Sequence, residues 1–197
     1  MARYGKEHKQ ETRQRIVETA GRRFKEDGID GSGIAGLMSD AGLTNGAFYA
    51  HFSSKEDLLV HAVADQLRAQ AEDFAEQAAA GGPADGFVRG YLSARHRDNP
   101  GDGCPSAALL DEIARSTDAT KQAYTEGVLG VIDGINTRRG QGDSEAARVR
   151  TLSVFALMVG TLQLSRALAD PQLADAVLEQ GIRNVLALRT PPEETGG

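Results

Sequence analysis

Three short apolar sets at helical spacing, each closed by a turn or cap residue, constrain this 197-residue chain more than anything else in it. Ile16, Val17, Ala20 and Phe24 recur as residues on one helix face do, and Gly28 follows where a glycine favours a C-terminus. Ile34, Leu37, Met38 and Ala41 repeat the pattern and stop at Gly42. Phe48 and Phe52, four residues apart and so on one face, form the third set, predicted over about 44–52 with Thr44 as N-cap. Their rings can pack against Ile34, Leu37 and Met38 of the second segment and Val17 and Phe24 of the first.

Beyond them, Ser53 with Glu56 reads as a capping box that opens a fourth helix, with Leu58, Leu59, Ala62, Val63 and Leu67 as its stripe. "GGPADG" from Gly81 breaks the chain. Further helices are predicted over 87–97, 105–116, 118–139, 144–169 and 171–188, with "DNPGDG" and "RRGQGD" as turns. Asp170 before Pro171 reads as an N-cap with proline at the first helical position. No segment has a strand's period, and there is no internal repeat. The chain therefore reads as all-α: a three-helix helix-turn-helix domain over 1–52, then a larger helical domain over 53–197. Its last residues, "TPPEETGG", are expected to fray.

The net charge of −6 argues against a polyanionic partner until its distribution is read. The first 25 residues hold eight basic side chains (Arg3, Lys6, Lys9, Arg13, Arg15, Arg22, Arg23 and Lys25) against three acidic ones. That end carries +5 and the remainder −11. Such asymmetry fits a polyanion-facing end on an acidic body, while charge alone favours the alternative, a solvated charged helix face. A single cysteine, Cys104, excludes an internal disulfide and argues against a cysteine zinc site. The N-terminus lacks an apolar leader core. The most apolar run, "LSVFALMVG" onward, is interrupted by Thr161, Gln163 and Ser165, short of the roughly 20 apolar residues a membrane span needs. A cytoplasmic protein with no membrane partner is expected.

The segment "GLTNGAFYAHFSSKEDLL" carries the chemistry. With Phe48 and Phe52 inward, Gly46, Ala47, Tyr49 and Ala50 point away from the core. Thr44 and Asn45 stand at the amino end, where a helix in the major groove meets base edges. An Asn amide matches the edge of adenine, and Thr44 or Ala47 can touch a thymine methyl. Tyr49 offers a hydroxyl to a phosphate, and His51 a second donor. Lys55 lies in the first turn of the next helix, where exposed N–H groups already favour an anion.

This segment, with "RIVETAGRRFKEDGIDG" before it, resembles the signature of the tetracycline-repressor (TetR) family of bacterial transcriptional regulators, over roughly residues 10–60. The resemblance implies that Ser32 and Lys55 hold phosphates at the starts of the second and fourth helices. It implies that Tyr49 and His51 touch the backbone, and that Thr44, Asn45, Gly46 and Ala47 face bases, with the basic residues before Arg15 as an additional arm. Gly33, Gly36 and Met38 depart from the family's usual second helix, and an interior glycine costs about 1 kcal/mol relative to alanine.

The resemblance further implies a larger domain that binds a small effector and forms a homodimer through the last two long helices. The partners expected are therefore a double-stranded DNA operator, a small-molecule effector and a second copy. The second of those helices has Leu173, Val177, Gly181, Val185 and Leu188 on one stripe, and Gly160 and Gly181 permit close helix approach. Phe74, Phe87, Tyr91, Tyr124, Phe155 and Met158 are candidates for an apolar effector cavity, or for ordinary core. Cys104, read as the N-cap of the helix beginning at Pro105, joins them as a candidate reactive thiol. No histidine pair has metal-ligand spacing and no glycine-rich phosphate loop precedes a helix, so no catalytic residue, metal or cofactor is expected. An all-α enzyme using Cys104 or a histidine, and a helical interaction module, are the competing readings.

Overall fold

The computed structural model describes residues 2–189 apart from 84, 141 and 143; the side chains of 2–6, 78 and 189 and the final "TPPEETGG" lie outside the description. Among the described residues every regular element is helical: α1 (Ala2–Asp27), α2 (Ile34–Asp40), a 3-10 helix (Asn45–Ala50), α3 (Lys55–Ala79), α4 (Gly86–Tyr91), α5 (Ala94–Asp98), a 3-10 turn (Pro100–Asp102), α6 (Pro105–Arg115), α7 (Asp118–Arg138), α8 (Glu145–Ala167) and α9 (Pro171–Arg189). The all-α expectation holds. Two compact units divide the chain. The first comprises Met1–Asp73 with Pro100–Val131, and the second Phe74–Asn99 with Ile132–Gly197.

The first unit buries the predicted stripes. Ile16, Val17, Ala20 and Phe24 of α1, Leu37 and Met38 of α2, Phe48, Phe52, and Leu58, Leu59, Ala62, Val63 and Leu67 of α3 are all core. Gly28 takes φ +78 and ends α1, its N–H bonded to the Phe24 carbonyl at 2.9 Å. α2 closes in a Schellman motif. Gly42 (φ +70) donates to Ser39 at 2.9 Å and Leu43 to Met38 at 2.8 Å, so the last carbonyls of this short helix are satisfied.

One sequence expectation shifts here. Ser53 and Glu56 do not form the cap of α3. Ser54 Oγ accepts from Asp57 N–H at 3.0 Å, and Asp57 reaches back to Ser53 N and Oγ at 2.9 and 3.0 Å. One residue of slip moves the box onto Asp57 and frees Glu56. Glu56 Oε1 instead accepts from Thr117 and Thr120 at 2.8 and 2.7 Å, tying the start of α3 to that of α7. These hydroxyls, Thr120 first, hold the Glu56 carboxyl below its ordinary range.

A buried cation joins α1 to the 3-10 turn and α3. Lys25 is 7% exposed; its Nζ donates to the Gly103 carbonyl at 2.7 Å and to Gln66 Oε1. Burial pushes this ammonium down to about 8.

In the second unit, the predicted helix over 87–97 is two helices. Ser93 interrupts it: extended at φ −115, ψ 153, it accepts from His96 N–H at 3.2 Å and caps α5. Arg166 of α8 then closes α5, donating to the carbonyls of His96 and Arg97 at 2.8 and 3.1 Å. α8 is capped by Ser144 and α9 by Asp170, whose carboxylate takes the Gln172 N–H at 2.9 Å. The two pack closely at Gly181, where a Cβ would lie 2.5 Å from Thr161 Cγ2. The predicted α9 stripe splits: Ala174, Leu178, Gly181 and Val185 face inward, while Leu173 and Leu188 stay exposed. No helix among the described residues is long and apolar enough to cross a membrane.

Two predictions follow from this packing. Open space surrounds a Cβ built on Gly36, so Gly36→Ala should stabilise by up to about 1 kcal/mol. Gly181→Ala should destabilise, and denaturant midpoints of the two variants would show the opposite signs. Lys25 has a folded pKa near 8 against an ordinary 10.5. Its contribution to stability is therefore complete above 10.5 and is lost as pH falls through 8. The stability difference between wild type and Lys25→Met should accordingly shift in favour of wild type from pH 8 to 10, by thermal melting.

Candidate functional site

The 3-10 helix Asn45–Ala50 is anchored from within and open outside. Phe48 is fully buried and Phe52 nearly so, their ring centroids 5.8 Å apart. Arg13 of α1 lies over the other aromatic, its guanidinium carbon 4.5 Å from the Phe52 centroid. Outward stand Thr44, Asn45 and Gly46, all exposed, with Ala47 half-buried. Tyr49 is 69% exposed, and only an edge-to-face contact with Phe48, centroids 5.2 Å apart, steadies its ring. Thr44 is the N-cap residue as predicted, extended at φ −79, ψ 150, yet its hydroxyl makes no cap bond. The winding is 3-10 and not α: Ala47 N–H bonds to Thr44 O and His51 N–H to Phe48 O. At about three residues per turn, Asn45 and Phe48 would share a face, so the fan of exposed side chains is narrower than an α-helix would give.

His51 is half-buried just after this segment, and its Nδ1 has no hydrogen-bond partner. Burial, with the nearby charges of Lys9 and Arg13 adding to it, holds the imidazole below its ordinary range. Lys55 is the first residue of α3, half-buried.

Ser32 departs from its predicted place. It is 1% exposed, and its hydroxyl lies 2.9 Å from the Gly28 carbonyl and 3.2 Å from that of Arg23. The side chain closes the α1–α2 turn from inside, so the Ser32 hydroxyl is not presented to a ligand. The basic end also divides. Arg22 pairs with Glu26 and Asp102, Arg23 with Asp27 and Asp40, and Lys25 is buried. Lys9 and Arg13 are the cations close enough to His51 to depress it. The Arg3 and Lys6 side chains of the expected arm lie outside the described residues.

The second unit holds a small cavity of about 40 Å³, partly open to solvent. Phe74, Phe87, Phe155 and Met158, all predicted candidates, line it. Tyr91 stands behind them, its ring 5.9 Å from Phe87 and 5.6 Å from Phe155. Cys104 and Tyr124 belong to the first unit and do not line this cavity. Cys104 is the predicted N-cap of α6, buried, with Sγ 3.1 Å from Gln70 Oε1; Tyr124 donates to Ser106 at 3.0 Å. Arg138 and Arg139 line the cavity and were missed in the sequence, where "RRGQGD" reads as a turn. The signal was there: two arginines end a helix whose preceding face, at Ile132 and Ile135, is apolar.

A short helix, a glycine turn and an exposed polar segment over a buried aromatic pair define a helix-turn-helix. Residues 16–62 match the family model described as bacterial regulatory proteins, tetR family. AcrR of Shigella flexneri is 43% identical over 58 residues, 29% of this chain and 27% of that protein. TtgR of Pseudomonas putida is 43% identical over 67 residues, 34% of this chain and 31% of that one. Both are named as HTH-type transcriptional regulators, and each match spans less than a third of the relative. The reduced form of NemR from E. coli shares the fold, with a TM-score of 0.75 at 20% identity over 93% of this chain and 99% of that one. The likeness to TetR-family regulators in sequence thus lies in residues 16–62, the helix-turn-helix segment.

In the free protein, His51 should titrate below 6.5 by NMR, and Arg13→Gln should raise its pKa by removing a neighbouring positive charge. Burial is the larger cause, so the value should still remain below that of an exposed histidine.

Proposed function

We propose that the protein is a transcriptional repressor that binds a palindromic DNA operator as a homodimer and is released by a small-molecule effector. Residues 1–52 act as the reading head and 53–197 as the sensing and dimerising body. The observation that carries the reading is the exposed row Thr44, Asn45, Gly46 and Tyr49 mounted on fully buried Phe48. Thr44, Asn45, Gly46 and Ala47 meet base edges, and Tyr49, His51 and Lys55 hold phosphates. Phosphate contacts position the head, and the amide of Asn45 is the group best suited to specify a base.

Dimerisation uses α8 and α9. Val149, Ala156, Gly160 and Leu164 lie along one exposed edge of α8, and Leu173 and Leu188 along one of α9. Residues at such spacing recur on one helix face, and apolar side chains left on that face are what a second helix pair would cover. A two-fold dimer sets the spacing between its two reading heads, which is the quantity an effector can change.

The effector cavity is that of the second unit. Two helices supply residues to both ends of the scheme. α3 begins at Lys55 and also carries Phe74, a cavity residue. α7 is bound through Thr120 to Glu56 and ends at Arg138, again in the cavity. A ligand that favours one setting of these helices would favour one setting of the heads. The protein acts in the cytoplasm, and its chemistry is binding, with no catalysed reaction.

Binding to a selected duplex, followed by fluorescence anisotropy across a salt series, tests the reading. Log affinity should fall linearly with log salt, by about 0.9 per phosphate contact, and Lys55→Gln should reduce that slope by about one contact. Tyr49→Ala should weaken binding to all duplexes about equally. Failure to bind any duplex in a salt-sensitive way would refute the proposal.

A further inference from the structure

The cavity of the second unit has an asymmetry that its size and apolar walls do not explain. Its aromatic and aliphatic lining is interrupted by Thr151, Arg138 and Arg139, and no acidic side chain among the described residues lines it. Elsewhere arginines meet carboxylates: Arg22, Arg23, Arg68, Arg97 and Arg148 each pair with an Asp or Glu. Arg138 is held differently. Its Nη2 donates to the carbonyl of Gly82 at 2.6 Å and reaches that of Pro83 at 3.4 Å. Its guanidinium carbon stands 5.7 Å from the centre of the Phe74 ring, itself part of the wall. Carbonyl dipoles and a ring face orient a guanidinium without neutralising it.

A second polar feature lies beside the first. Thr151 donates its hydroxyl to Asn136 Oδ1 at 2.5 Å. Asn136 is 1% exposed, and its Nδ2 has no hydrogen-bond partner. One side chain behind the wall there is thus a donor in want of an acceptor, and a buried donor left so costs about 1–3 kcal/mol. A guanidinium set in an otherwise apolar wall calls for an amphipathic ligand that brings oxygen acceptors and negative charge. A guanidinium fork matches a carboxylate with two parallel bonds, and such bonds strengthen away from bulk water.

We infer that the effector is a small amphipathic carboxylic acid, its apolar body against Phe74, Phe87, Phe155 and Met158 and its carboxylate on Arg138. This rests on the reading of the cavity as the effector site. It excludes amines, which the Arg138 guanidinium repels, and gives a neutral isostere no group to replace the missing charge.

Three matched probes test it on the full chain by isothermal titration: 4-phenylbutyrate, 4-phenylbutanamide and 4-phenylbutylamine. The acid should bind at least tenfold more tightly than the amide, and the amine should not bind. Arg138→Gln should bring the acid down to the level of the amide while leaving amide binding unchanged. Arg138→Lys, which keeps the charge and guards against a misfolded Gln variant, should keep the acid ahead. Equal affinity for acid and amide, preference for the amine, no binding by any probe, or an acid preference that survives Arg138→Gln would overturn the inference. Release of a bound duplex is measured in parallel. An acid that binds with the expected preference but leaves the duplex in place upholds the ligand class and removes the effector reading. An amide or amine that binds best and releases the duplex does the reverse.

Discussion

The burial of Phe48 is the contact on which the site depends. A six-residue 3-10 helix has too few hydrogen bonds to hold itself in water, and its neighbours must fix it. Phe48 does this from inside the segment, fully buried, with Phe52 beside it and α2 packed against the 3-10 helix. Removing such a ring costs about 3–5 kcal/mol in a typical core, a large fraction of a domain's whole stability. With Phe48 inward, 3-10 geometry sends Gly46 and Tyr49 to solvent, and Asn45 is exposed by its place at the open first position of the segment. The outward chemistry is therefore a consequence of the inward packing.

That logic explains which parts were legible in the sequence. Apolar spacing at Ile16–Phe24, Leu37–Met38 and Phe48–Phe52 specified the core of the first unit, because each position had one face to bury. Glycine stops at 28 and 42 were legible because a left-handed residue is needed there. What escaped were choices among near-equal partners. Ser53 and Ser54 are both good caps, and only the donors Thr117 and Thr120, more than sixty residues away, draw Glu56 out of the box. The break at Ser93 competes with a continuous helix for a similar reason, since a serine can cap or simply point outward.

In the candidate site the sequence located the segment but not the fate of every side chain. Ser32 has a short hydroxyl, and whether it faces solvent or the α1–α2 turn depends on backbone carbonyls at residues 23 and 28. Arg22, Arg23 and Lys25 added to the basic count, yet their partners Asp102 and Asp40, and the Gly103 carbonyl, come from other segments. Charge counting sums side chains irrespective of direction, so it overstates the free cations of a folded helix. The cavity follows the same pattern: Phe74, Phe87, Phe155 and Met158 were legible as walls, while Arg138 and Arg139 were hidden in an apparent turn.

The central claim is that the outward row on the Phe48 anchor reads DNA, with Asn45 specifying a base. Selection from a randomised duplex pool, carried out with wild type and with Asn45→Ala, tests it most directly. Wild type should yield a two-fold symmetric site. Asn45→Ala should relax the preference at one position in each half-site and leave the rest of the site intact. Recovery of the same site by Asn45→Ala, or of no common site by wild type, would contradict the account.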